Sequence, residues 1–134
     1  MELNKYIPGD LAMINGDIVK IMAVCFNYNL NIIQNYDVMF PNGNIYKYEA
    51  ESLKEIPLTP EILEKNGWRT QNRWYYYLNV AEGFISYIGI DFKHKSNKGH
   101  LYVEVDGNNM VEIQYCHELQ HLLFGLGIYH EMEV

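Results

Sequence analysis

Two histidines and a glutamate near the C-terminus are the residues of this 134-residue chain best suited to do chemistry. They stand in the segment His117-Glu118-Leu119-Gln120-His121. Because residues four apart share one face of a helix, both imidazoles of such a segment can hold one Zn²⁺, while the glutamate acts as general base on a metal-bound water. The spacing therefore indicates, as one alternative, metal-assisted hydrolysis with Glu118 as the catalytic residue.

The segment is similar to the His-Glu-x-x-His motif of zinc peptidases, but a catalytic zinc site needs a third protein ligand. Only thirteen residues follow His121, and His130, Glu131 and Glu133 among them stand at none of the spacings that those peptidases use. We therefore predict no catalytic residue, no metal and no cofactor. A zinc site formed by His117, His121 and His130 is kept as the alternative.

The helix that carries these side chains is predicted over about residues 112–126, where Gly125 and Gly127 act as stop signals. A helix turns about 100° per residue, so an apolar stripe centred on Leu119 places His117 and His121 about 160° away on either side. In a simple amphipathic helix both histidines then face solvent.

The part of the chain before this helix predicts mostly β-structure. In the subregion 1–57, four short strands are expected over residues 11–15, 17–27, 30–40 and 45–50, the first pair joined at Asn15-Gly16-Asp17. Their lengths and tight turns favour a small, strongly bent antiparallel barrel of the SH3-like kind.

The subregion 58–134 predicts an αβββα arrangement. Thr59-Pro60-Glu61 is typical of a helix start and Asn66-Gly67 of its end. Three antiparallel strands follow over residues 73–80, 83–94 and 100–106, and then the C-terminal helix. The predicted fold class is α+β, in one domain of residues 1–134.

Composition limits the classes of function. With 49% hydrophobic and 20% charged residues the chain is typical of a globular domain. No apolar stretch approaches the roughly 20 residues of a membrane span, and no signal-peptide pattern follows Met1, so we expect a cytoplasmic protein of the host cell with no membrane partner. Cys25 and Cys116 are expected to be reduced core residues. A net charge of −7 disfavours non-specific nucleic-acid binding.

Basic residues are nevertheless concentrated in one stretch. Residues 69–100 carry a local charge of +3, although the whole chain is acidic. Two interpretations remain open: a solvated basic hairpin tip, or a pocket for a small anion in which these side chains converge. The candidate ligand-binding residues are Arg69, Arg73, Lys93, Lys95 and Lys98.

The run Trp74-Tyr75-Tyr76-Tyr77 adds aromatic candidates. Tyrosines that alternate between the two faces of one strand cannot all enter the core. Tyr75 and Tyr77 are therefore candidates for a ligand groove or an interface, including one between copies of the chain. The alternative is that these tyrosines reflect β-propensity alone.

Three segments carry a resemblance that spans most of the chain. They are Gly9-Asp10, residues 56–68 (IPLTPEILEKNGW) and residues 113–124 (IQYCHELQHLLF). In them the chain resembles a family of small proteins from genomes, prophages and phages of Bacteroidetes. The last helix of that family often reads Tyr-Leu-His-Gln-Leu-Gln-Asn-Leu-Tyr-Phe, so Glu118 and His121 stand where Gln and Asn are usual. The resemblance implies that this segment derives from a pattern without metal.

Three functions remain as hypotheses. The first is a non-enzymatic binding protein of a phage or mobile element, which acts on a host or defence component. The partner would be a host protein or a small anionic nucleotide signal bound near the basic residues. The second is a minimal zinc-dependent metallopeptidase using residues 117–121, and the third is a component of a virion.

Overall fold

The computed structural model of the protein describes residues 6–80, 84–129 and 131–134. The elements in chain order are β1 (Leu11–Ile14), β2 (Asp17–Asn27), β3 (Ile32–Met39), β4 (Ile45–Glu49), α1 (Pro60–Lys65), β5 (Arg69–Thr70), β6 (Tyr75–Asn79), β7 (Tyr87–Asp91), β8 (Leu101–Val105), β9 (Asn108–Ile113) and α2 (Cys116–Gly125). The α+β class predicted from the sequence is confirmed. Within the described residues, neither α-helix has the length and apolar character needed to span a bilayer.

The first sheet is an antiparallel meander in the order β1-β2-β3-β4. Its four strands were all predicted, and Asn15 and Gly16 form the first turn with φ of +49° and +87°. The SH3-like barrel is not confirmed, because this sheet stays open. The outer edge of β1 pairs instead with the segment after β4: Met13 and Lys54 exchange backbone hydrogen bonds of 2.9 and 2.8 Å.

The second sheet is also antiparallel, in the order β5-β6-β7-β8-β9. It has five strands where three were predicted. The two added strands are the two-residue β5 and β9. Strand β9 occupies residues that we expected in a loop and at the start of the C-terminal helix, so α2 begins later, at Cys116. Asp106 and Gly107 form the β8–β9 turn with φ of +50° and +88°.

Both helices pack on one face of the second sheet. Leu63 of α1 and Leu119 of α2 lie in a cluster with Tyr76, Ile88 and Ile90, all at most 2% exposed. A second cluster lies on the first sheet around Ile21 and Val38. Helix α1 begins as predicted, with the Thr59 hydroxyl accepting the amide of Ile62 at 3.3 Å.

Candidate functional site

The Glu118 carboxylate caps the N-terminus of α2. Its Oε1 accepts the backbone N–H groups of Gln114 at 2.9 Å and of Tyr115 at 3.0 Å. A glutamate in the first turn satisfies amides that have no partner inside the helix, and its charge is favourable at the positive helix end. The side chain that the sequence offered as a general base is therefore engaged in holding the helix start.

Gln120 connects α2 to the edge strand of the first sheet. Its side chain is fully buried. The amide of Leu11 donates to Oε1, and Nε2 donates to the carbonyl of Gly9, both at 3.0 Å. On its other side, the segment of residues 9–11 pairs with β2. The Gly9 amide donates to the Ile21 carbonyl and the Ile21 amide donates to the Asp10 carbonyl, both at 2.8 Å. Gln120 thus supplies the hydrogen bonds that a further strand would make.

His121 pairs with a buried carboxylate in the same segment. Its Nε2 lies 2.5 Å from Oδ2 of Asp10, which also accepts the amide of Ile7 at 2.9 Å. The Asp10 side chain is completely buried, whereas His121 is partly exposed. Because burying a carboxylate without partners is costly, the His121 ring stabilises Asp10 inside the protein.

His117 is buried, with 5% of its surface exposed. Its ring lies 4.9 Å from that of Tyr6 and 5.6 Å from that of His121, between centroids, and stacks on Tyr115 at 6.0 Å. The prediction that His117 faces solvent is wrong, because α2 is covered on two sides and not on one. Burial lowers the pKa of His117, which favours the neutral imidazole.

The described residues of the predicted zinc alternative make separate contacts. Glu118 bonds to backbone amides, His121 to Asp10, and His117 lies under Tyr6. Within residues 6–80, 84–129 and 131–134, no three His, Cys, Asp or Glu side chains are grouped to hold a metal ion. His130, the third ligand of that alternative, lies outside the described residues.

A cavity of about 460 Å³ opens between the first sheet and the N-terminal end of α2. Three tyrosines, two isoleucines and an alanine form much of its wall, together with three glutamates and His117. Sequence reasoning singled out only His117 and Glu118 of this lining, because its residues come from four separate segments of the chain. They are Tyr6, Ile32, Ile33, Tyr36, Ala50, Glu51, Glu55, Tyr115, His117 and Glu118.

The outer face of the second sheet is rich in tyrosine. Tyr76 points into the core at 2% exposure, whereas Tyr75 and Tyr77 lie on the opposite face and are half-buried. The register of β7 and β8 places Tyr87 and Tyr102 on the same outer face. The prediction that the tyrosines divide between core and surface is confirmed.

A glycine makes room for a polar cluster in this face. A Cβ on Gly89 would lie 2.0 Å from the Tyr75 hydroxyl oxygen, so the Tyr75 side chain crosses directly over Gly89. Its hydroxyl donates to Oε2 of Glu104 at 2.7 Å. Burial, together with Glu104 and Tyr87, raises the pKa of Tyr75 above its ordinary value.

The predicted basic residues are exposed and lie mostly at one end of the second sheet. Neighbouring connections carry them: the β5–β6 turn and the β7–β8 loop, which are joined by a 2.8 Å bond from the Phe92 amide to the Trp74 carbonyl. The Lys93 Nζ lies 5.4 Å from the centre of the Trp74 ring. None of the five lines the 460 Å³ cavity. Of the five basic residues, Arg69 lies in β5 opposite Tyr77. The other four lie in the two connections and are Arg73, Lys93, Lys95 and Lys98.

The chain was compared with protein-family models, with curated proteins and with solved structures. It matches no family model, no curated protein and no solved structure.

Proposed function

We propose that the chain is a non-enzymatic binding protein, which recognises a partner protein through the outer face of its second sheet. The observation that carries the proposal is the set of four tyrosines on this face. Both helices pack on the opposite face, and the four tyrosines of the outer face are half-buried. We call this surface the tyrosine face: Tyr75, Tyr77, Tyr87 and Tyr102.

The chemistry of the tyrosine face suits a protein partner. Tyrosine offers a large contact area with few rotatable bonds and a polar tip, and interfaces are enriched in tyrosine and arginine. Arg69 lies beside Tyr77 at the edge of this face. The Tyr75–Glu104 hydrogen bond fixes one ring before binding, which lowers the entropy lost on association.

The resemblance to proteins of Bacteroidetes phages and prophages supports a host or defence component as the partner. A small anionic nucleotide signal is the competing ligand within the same hypothesis, and it would bind at the basic end formed by Arg73 and Lys93. The spread of these side chains along an exposed loop favours the protein partner, because an anion pocket needs them to converge.

Photo-crosslinking in the cells that encode the chain tests the proposal. We place p-benzoyl-phenylalanine at position 102 and, as a matched control, at position 46, an exposed tyrosine of the first sheet with 52% of its surface accessible. The expected result is one specific crosslinked protein from position 102 and none from position 46. The crosslink should disappear when Tyr77→Ser is added.

Other outcomes contradict the proposal in different ways. A crosslink to a second copy of the chain would replace a foreign partner with self-association. A nucleotide retained by the purified protein in native mass spectrometry would support the nucleotide alternative. Stoichiometric zinc in the same spectrum would support the peptidase alternative. Equal crosslinking from both positions, or none from position 102, would refute recognition through the tyrosine face.

A further inference from the structure

The cavity between the first sheet and α2 is a separate candidate site, because it shares no residue with the tyrosine face. Its volume of about 460 Å³ falls within the range of ligand pockets, roughly 300–1,000 Å³. A cavity of this size is suited to a small molecule and not to a folded partner.

Aromatic rings form its walls. Tyr6 and Tyr36 meet edge to face with centroids 5.6 Å apart, and Tyr115 stacks on His117 with only 10° between the ring planes. Ile32 adds an aliphatic surface. Such walls favour a flat or apolar group, and the faces of tyrosine rings also attract cations.

The charged groups in the described lining of the cavity are acidic. Glu51, Glu55 and Glu118 line it, and no lysine or arginine is among its described lining residues. The Glu55 carboxylate is near enough to contribute, after burial, to the raised pKa of Tyr6. The site therefore repels anions and favours a positively charged ligand.

His117, whose ring belongs to the lining of the cavity, adds an observation independent of the glutamates. Its Nδ1 is buried and has no hydrogen-bond partner among the described residues. Buried polar atoms are nearly always hydrogen-bonded, and each exception calls for a physical account. Because burial favours the neutral imidazole, one ring nitrogen is available to accept a hydrogen bond from an N–H donor.

We propose that this cavity binds a small protonated organic amine. The aromatic or apolar part of the ligand lies between the tyrosine rings, its ammonium group faces Glu51 and Glu55, and His117 accepts one of its N–H bonds. The hydrogen-bond role of His117 distinguishes this ligand from a quaternary ammonium ion, which has no N–H to donate.

Calorimetric titration of the full chain with matched probes tests the charge requirement. Tyramine and tryptamine are the amines, tyrosol is the neutral counterpart of tyramine, and 4-hydroxyphenylacetate is an anionic one. We expect saturable binding of at least one amine at one per chain, tyrosol at least about tenfold weaker than tyramine, and no binding of the anion.

Variants locate the site. Glu51→Gln combined with Glu55→Gln should raise the Kd for the amine about tenfold, whereas Glu112→Gln on β9 should leave it unchanged. In the unaltered protein, the ¹⁵N resonances of the His117 ring should shift on amine addition, a readout that does not depend on variant folding.

Three results would overturn the proposal: no saturable binding of either amine, equal affinity for tyramine and tyrosol, or an unmoved His117 resonance when an amine binds. None of these results affects crosslinking at position 102. The proposal for the cavity and the proposal for the tyrosine face are therefore tested independently.

Discussion

Replacing Gln120 by methionine tests whether α2 holds the edge of the first sheet. Methionine is unbranched and close to glutamine in length, so the Gln120→Met change removes hydrogen bonds while disturbing packing little. Two of the bonds of Gln120 join side-chain atoms to the Leu11 amide and the Gly9 carbonyl, both at 3.0 Å. Their partners are backbone groups, which the substitution cannot remove.

The expected cost follows from the burial of those partners. An unsatisfied buried donor or acceptor costs about 1–3 kcal/mol. Leu11 is only 7% exposed, so its amide bears this cost in full. Gly9 is half-buried, so water can replace part of the hydrogen bonding that its carbonyl loses. We therefore expect Gln120→Met to lower the free energy of unfolding by about 2–4 kcal/mol.

Urea unfolding followed by circular dichroism measures the effect. Gln114→Met is the matched control, because Gln114 precedes the same helix, is exposed and makes its hydrogen bonds through the backbone. A surface substitution of this kind should change the free energy of unfolding by less than about 0.5 kcal/mol. A loss below about 1 kcal/mol in Gln120→Met, with an unchanged urea dependence, would refute the role assigned to Gln120.

Two further changes probe other parts of the molecule. Gly89→Ala should force the Tyr75 side chain away from Glu104, because the new methyl group would lie 2.0 Å from its hydroxyl oxygen. The Tyr75 pKa should then fall toward its ordinary value in an NMR titration of ring ¹³C resonances, and an unchanged pKa would contradict the placement of the ring. His117, whose pKa is lowered by burial, binds its proton more readily in the unfolded chain, so stability should fall as pH decreases below about 6.5. Urea unfolding at pH 7.5 and 5.5 should show a smaller loss in His117→Gln than in the unaltered protein, and equal losses would exclude this contribution.

Local sequence signals were sufficient to predict the four strands of the first sheet, but not to predict whether that sheet closes into a barrel. The four strands follow from β-forming runs separated by turns such as Asn15-Gly16, whose positive φ values are a property of those residues themselves. Whether β1 meets β4 depends on pairing between distant segments. Here the edge of β1 is occupied by Lys54 and Gln120, which no local pattern predicts.

Strand β9 was missed for a similar reason. Asn108 and Asn109 are poor strand formers, and the apolar residues after them fit the beginning of a helix equally well. The signal that was available is Asp106-Gly107, which has the composition of a two-residue hairpin turn and adopts its left-handed angles. This dipeptide predicts a return strand after β8.

The face of α2 that carries His117 was misplaced because one buried stripe was assumed. Leu119 and Leu123 meet the second sheet, while His117 and Gln120 turn toward Tyr6 and the first sheet. Periodicity identifies a helix face by its apolar residues, so a second buried face made of polar residues looks like solvent-exposed surface. Only the tertiary partners of these polar side chains, about 110 positions away, reveal it.

The contacts of the His117–His121 segment also bear on the zinc alternative. To act as a general base, Glu118 would have to release two backbone amides, at a cost of about 1 kcal/mol for the lost cap. To ligate a metal through Nε2, His121 would have to leave Asp10, whose fully buried carboxylate would lose its imidazole partner. A spacing of four residues on a helix satisfies the geometric demand of a zinc site, but in this segment Glu118 caps the helix, Gln120 bridges to an edge strand and His121 pairs with a buried carboxyl group. In this chain Glu118, Gln120 and His121 all make such structural contacts, and the cavity beside His117 is the separate candidate for a ligand site.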